Sequence, residues 1–124
     1  MSSPFAAVLD SLIRQRGVMA AMVVSERDGI AVEANLQIGQ SGDRVAALAA
    51  FLYRKARLSA RAAGMGEVSF LQLEAPAGRL CAVGGGSLVL VVVAESTVNV
   101  GLVRVELLRG VAALKLVGGT EHDG

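Results

Sequence analysis

Eight consecutive residues, Ser87-Leu88-Val89-Leu90-Val91-Val92-Val93-Ala94, constrain this chain more than any other segment. Seven are apolar and four are valine. Apolar residues do not alternate with polar ones, so neither side of the segment faces water. The run is far short of the ~20 apolar residues that span a bilayer. β-branched side chains and the preceding Gly84-Gly85-Gly86 favour a strand over a buried helix. A strand covered on both sides requires a sheet with helices on its two faces, and the rest of the chain must supply them.

It can. Phe5, Val8, Leu9, Leu12 and Ile13 recur at helical spacing after a Ser2 or Ser3 cap and Pro4, and Gly17 closes that helix. Met19–Ser25 and Ile30–Ala34 read as strands joined by Arg27-Asp28-Gly29, where Gly29 takes a positive φ at no steric cost. Asp28 is therefore read as a turn residue rather than a catalytic carboxylate. After a connector over Leu36–Gly42, Asp43 caps a long helix, Arg44–Ala63, that Gly64 ends. Glu67–Glu74, with Val68 and Phe70 on one side and Leu71 and Leu73 on the other, and Arg79–Val83 flank the turn Ala75-Pro76-Ala77-Gly78 as two further strands. The three glycines then connect to the central strand. They are not a phosphate loop, since no Gly-Lys-Ser/Thr follows and a strand, not a helix, comes next. Asn99 caps the last helix, whose inner face is Val100, Val103, Leu107, Val111 and Leu114, with Gly110 allowing close approach to the sheet. Gly118-Gly119 is expected to stop it before a polar tail over 118–124. His122, in that tail, is not read as a catalytic or metal-binding residue, since a loose terminus does not hold geometry. The order is α-β-β-α-β-β-β-α: one α/β (α+β) domain over residues 1–124, with five mainly antiparallel strands and helices on both faces.

Hydrophobic residues make up 53% of the chain and its mean hydropathy is +0.56. With no apolar run of membrane length, this excess points to association with another copy. The second helix suggests where. At about 100° per residue, Val45, Leu48, Ala49, Leu52, Ala56 and Ala63 share one arc, expected against the sheet. Arg54, Arg57 and Arg61 line up on the opposite side with Ala50. Between lies a surplus apolar flank, Ala47, Phe51, Leu58 and Ala62. One stripe satisfies a surface helix, so the flank either meets its counterpart across a two-fold axis or leaves Phe51 tucked under a neighbouring loop. The arginines read either as a solvated face or as the contact for an acidic partner. Aromatics at 3% and a net charge of +1 argue against nucleic-acid binding. The single cysteine, Cys81, excludes an internal disulfide and fits a reducing compartment. It reads as a small core side chain, a reactive thiol requiring cationic neighbours. The N-terminus lacks a signal-peptide pattern, so a cytoplasmic location is expected, without membrane insertion. No constellation of His, Cys, Ser and carboxylates suggests catalysis, a metal or a cofactor.

Gly17-Val18-Met19-Ala20-Ala21-Met22-Val23-Val24 running into Asp28-Gly29, the alanine-rich second helix, Leu90–Ala94, and Asn99-Val100-Gly101-Leu102-Val103-Arg104 together resemble the roadblock family of dynein light chains and their bacterial and archaeal relatives, with its profilin-like architecture. The resemblance covers about Phe5–Leu116. It implies homodimers or heterodimers joined edge to edge through the third strand, here with Val68 and Phe70, and by second helices packed side by side. That agrees with the flank at Phe51 and Leu58. It also implies binding to a small Ras-like GTPase and modulation of its nucleotide cycle, as in the bacterial polarity regulators, without an inserted arginine finger and without catalytic residues. Arg54, Arg57 and Arg61 are the expected partner contacts. Two other readings remain open at the level of sequence: a small-molecule-sensing domain, and a structural dimerisation module with a non-GTPase partner.

Overall fold

The computed structural model describes residues 4–37 and 41–122, the last seven as backbone only. Three helices, α1 (Ala6–Ile13), α2 (Asp43–Ala62) and α3 (Val100–His122), accompany five strands: β1 (Val18–Ser25), β2 (Ala31–Leu36), β3 (Leu71–Ala75), β4 (Gly78–Gly85) and β5 (Leu88–Ala94). The strands form one sheet in the order β2-β1-β5-β4-β3, and every pairing is antiparallel. β5 lies at its centre, as its unbroken apolar run requires. Leu90, Val92 and Ala94 enter the core beneath α1 and α3, while Val89 and Val91 enter the core beneath α2. All five are fully buried. Burying a side chain such as Leu90 or Val91 stabilises the fold by about 1.5–3 kcal/mol.

The glycine triplet divides differently from the expected connector. Gly84 and Gly85 belong to β4, and only Gly86, at φ +74°, turns the chain into β5. A Cβ on Gly84 would fall 2.4 Å from the Tyr53 hydroxyl, and one on Gly85 3.0 Å from Val111 Cγ2. Each glycine thus admits a helix to one face of the sheet. Gly110 does the same from the α3 side, where a Cβ would meet Leu90 and Val8 at 2.7 and 2.8 Å.

Several boundaries move for identifiable reasons. Asp43 is the first residue of α2 rather than its cap. Gly42 holds the cap position without a side-chain bond, and Asp43 serves as an acidic group in the first turn. Asn99 does cap α3, its Oδ1 accepting the Leu102 N–H at 3.2 Å. The α3 backbone continues through Gly118-Gly119 to His122 instead of stopping there. α1 closes at Ile13, ahead of Gly17, whose φ of +89° turns the chain into β1. The proposed Ser2 and Ser3 caps lie outside the described residues, as does part of the 36–42 connector. β3 begins only at Leu71. Val68 and Phe70, expected on one side of a strand, instead serve opposite cores. Val68 packs on the α2 side, and Phe70 on the α3 side under the Arg104 guanidinium, 5.1 Å from its ring centroid.

The largest correction concerns α2. Its buried residues are Ala46, Ala49, Ala50 and Tyr53, whereas Leu48, expected against the sheet, is 43% exposed. Val45, Leu52 and Ala56 sit at the margin, half-buried. The valine-rich surface of β5 and β1 already fills the space above the sheet. Small side chains let the helix backbone come close, and a single large residue, Tyr53, spans the remaining gap.

Candidate partner-binding surface

The rotation of α2 decides what the helix offers outward. Relative to the arc centred on Ala46, Ala50 and Tyr53, the expected flank residues Ala47, Phe51, Leu58 and Ala62 are all exposed, Phe51 at 58% and Leu58 at 46%. Ala47 and Phe51 turn toward the β1–β2 turn. There, with Arg27, Asp28 and Arg54, they line a hollow of about 280 Å³. The turn is built as its sequence requires: the Ser25 hydroxyl donates to Asp28 Oδ2 at 3.2 Å, and Gly29 sits at φ +68°. Asp28 is thereby engaged in the turn.

The other flank of α2, with Leu52 and Ala56, is turned toward β4 and β3 by the helix period. β3 is an edge strand with one neighbour. In its register Leu71 lies opposite Ala82 and Leu73 opposite Leu80, and both partners belong to the core under α2. Leu71 and Leu73 therefore face the α2 side, where Leu73 is 40% exposed. The open β3 edge, with exposed Leu73, thus lies on the same face of the sheet as α2, whose outer surface exposes Leu48. Leu48, Leu52 and Leu73 were not assigned to this surface from sequence. The signal that would have found them is the 46/49/50/53 spacing of small residues ending in a tyrosine, which competes with the leucine arc.

The three arginines do not form one line with Ala50, which is buried. Arg57 lies on the sheet side of α2. Its Nε donates to Glu26 Oε2 at 3.1 Å and its Nη2 to Oε1. The fork is part-buried, with side-chain exposures of 28% for Arg57 and 11% for Glu26. Hydrogen bonding to Glu26, and then its charge, hold the guanidinium pKa above its ordinary value. Arg57 thus clamps α2 to the end of β1. Arg61 is exposed, 3.5 Å from the equally exposed Glu67. Arg54 is exposed at the rim of the hollow.

Among the described residues, no three His, Cys, Asp or Glu side chains gather as a metal site, and no helix is long and apolar enough to cross a membrane. Cys81 is fully buried under α1 and α3, and burial pushes its thiol up, which keeps it neutral.

The Roadblock/LC7 domain pattern matches residues 4–94, from before α1 to the end of β5. The chain belongs to the Roadblock/LC7 family. Its roadblock domain is 30% identical to the uncharacterized protein MJ1340 of Methanocaldococcus jannaschii over 108 residues, covering 87% of this chain and 94% of that one. Among solved structures, it superposes on the Roadblock/LC7 domain from Streptomyces avermitilis with a TM-score of 0.79 at 23% identity, covering 90% of this chain and 94% of that one. It superposes on Myxococcus xanthus MglB with a TM-score of 0.82 at 22% identity, covering 95% and 97%. These likenesses establish the roadblock fold, including the α3 layer that lies beyond the family match. The Asn99–Arg104 segment, expected from the sequence to carry part of the resemblance, falls outside the matched residues.

Proposed function

We propose that this roadblock domain pairs with a second roadblock domain, its own copy or a relative, through β3 and the outer surface of α2, and that the pair is a regulatory platform for a small Ras-like GTPase. The observations that carry the reading are the open β3 edge with exposed Leu73 on it, and the exposed Leu48, Phe51 and Leu58 on the outer surface of α2. Two such edges continue one sheet into the next, and the α2 surfaces cover each other's apolar residues. Partner contact falls to Arg54 and Arg61, with Arg57 serving chiefly to hold α2 against β1. Any effect on hydrolysis is positional: the dimer holds the switch loops of the GTPase, and the partner's own Mg²⁺ and water-positioning residue do the chemistry. The proposed setting is the cytoplasm, in cell polarity or a related signalling task.

The test mixes the purified protein with a cognate GTPase and follows single-turnover GTP hydrolysis and complex formation. A changed hydrolysis rate, with binding weakened at least tenfold by Arg54→Glu/Arg61→Glu and unaffected melting of that variant, supports the proposal. An unchanged rate together with no complex removes the GTPase reading and leaves the pairing surface to be judged by solution mass.

A further inference from the structure

A second apolar surface lies on the other side of the sheet. α3 buries Val103, Leu107, Gly110, Val111 and Leu114. Its outward face carries Gly101, Val105, Leu108 and Ala112, all exposed, with Val105 at 52% and Leu108 at 39%. The spacing is four, three, four, the interval of a seam that receives another helix. Leu102, 57% exposed, borders it. The seam is narrow, and a glycine and an alanine at its two ends let a second backbone come near. Nothing in the core requires this pattern, since the buried stripe of α3 is complete without it. The surface also lies opposite α2, so the pairing proposed above leaves it uncovered, and the inference does not depend on that pairing.

The charges beside the seam select its occupant. Arg104 and Lys115 flank it on one side and Arg109 on the other, by the helix period. The single carboxylate on this stretch, Glu106, turns inward, with its side chain 18% exposed. It accepts from the Ser11 hydroxyl at 3.4 Å and pairs with Arg109 at 3.2 Å. A second copy of α3 would set Arg104 and Lys115 against their counterparts, and the one carboxylate of the stretch, Glu106, is already spent on Arg109. An aromatic-rich, broad apolar face, suited to lying in a lipid interface, is absent from the described part of α3. We infer that the outer face of α3 docks an amphipathic helix of a partner protein, about three to four turns long, whose apolar stripe is bordered by Asp and Glu.

The probe is a labelled synthetic helix of about 14 residues, four turns, with leucine at the seam spacing and glutamate at the flanks, compared with the same helix carrying lysine flanks. Fluorescence anisotropy is expected to show micromolar binding of the acidic helix, weakening with salt, and at least tenfold weaker binding of the basic one. Val105→Asp and Leu108→Asp should each reduce binding at least tenfold, while Leu58→Asp on the opposite face leaves it unchanged. Arg104→Glu/Lys115→Glu should shift the preference toward the basic helix. Because Val105 and Leu108 are exposed, these variants are expected to melt like the wild type. Absence of binding, equal binding of both helices, or indifference to the seam substitutions would overturn the inference. So would a halved solution mass in Val105→Asp, which would assign the seam to a second copy. Co-sedimentation with phosphatidylglycerol vesicles that depends on Val105 and Leu108 would assign it to a membrane and likewise overturn it.

Discussion

The phenol of Tyr53 occupies the space that a side chain at position 84 would need: a Cβ on Gly84 would stand 2.4 Å from the hydroxyl and 2.7 Å from two ring carbons. The same hydroxyl donates to the Val68 carbonyl at 3.1 Å. One residue therefore fixes α2 to β4 and also anchors the segment that enters the open edge strand. Gly84→Ala is expected to lose about 1–3 kcal/mol, the usual cost of overpacking a filled core. Tyr53→Phe should lose about 0.5–1.5 kcal/mol through the missing hydrogen bond. Urea unfolding measures both. In Tyr53→Ala/Gly84→Ala the combined loss should fall short of the sum, because the first change removes the clash created by the second.

The Arg57–Glu26 fork makes a distinct prediction. Arg57→Ala leaves a mostly buried carboxylate without its partner, so the melting temperature should fall. Arg57→Lys should recover only part of the loss, since an ammonium cannot match the two-point geometry of a guanidinium. The folded-state pKa of Arg57 lies above its ordinary value, so its stabilisation is complete at every pH below the guanidinium range. The difference between wild type and Arg57→Ala should accordingly stay constant between pH 7 and 9 by differential scanning fluorimetry.

Alkaline pH acts elsewhere. Burial raises the Cys81 thiol and, with the same leading cause, the Tyr53 phenol. A raised acid is protonated in the fold after its unfolded counterpart has begun to ionise. Its stabilisation is therefore present below the ordinary thiol or phenol range and is lost as pH rises toward the folded value. Stability should fall above about pH 8.5, with a slope from each group of at most about 1.4 kcal/mol per pH unit. Cys81→Ala should flatten the first part of that decline, measured as urea midpoints across pH 8–10.5.

The pairing surface is tested by solution mass. Leu73→Arg places a charge on β3 and Leu48→Glu one on the outer surface of α2, and either should shift the protein from two copies to one by light scattering. The substituted side chains are exposed, at 40% and 43%, so folding should survive, with stability changes within about 0.5 kcal/mol. A wild-type protein of single-copy mass at high concentration would defeat the pairing proposal outright.

How much of this was legible in advance varies from element to element. Asp28-Gly29 announced its hairpin because backbone conformation at a turn is chosen by the residues in it. Asn99 announced its helix start for the same reason. Val68 and Phe70 were misread because alternation assumes a pleat, and the chain is not paired there before Leu71. The Arg57 clamp had no local signal at all: its partner Glu26 is 31 residues away and meets it only after β1 and α2 are packed.

What the sequence determined by itself was the central strand and the layers around it. An unbroken run such as Val89–Val93 has no polar side to give to water, whatever its neighbours do. What only the tertiary structure decided was the rotation of α2, and with it which leucines and which arginines face outward. Periodicity places residues on a helix but not the helix on a sheet. That choice went to the alanines and Tyr53 because close packing against a valine-rich surface, with Gly84 open to receive the phenol, outweighs the burial of larger side chains held further away.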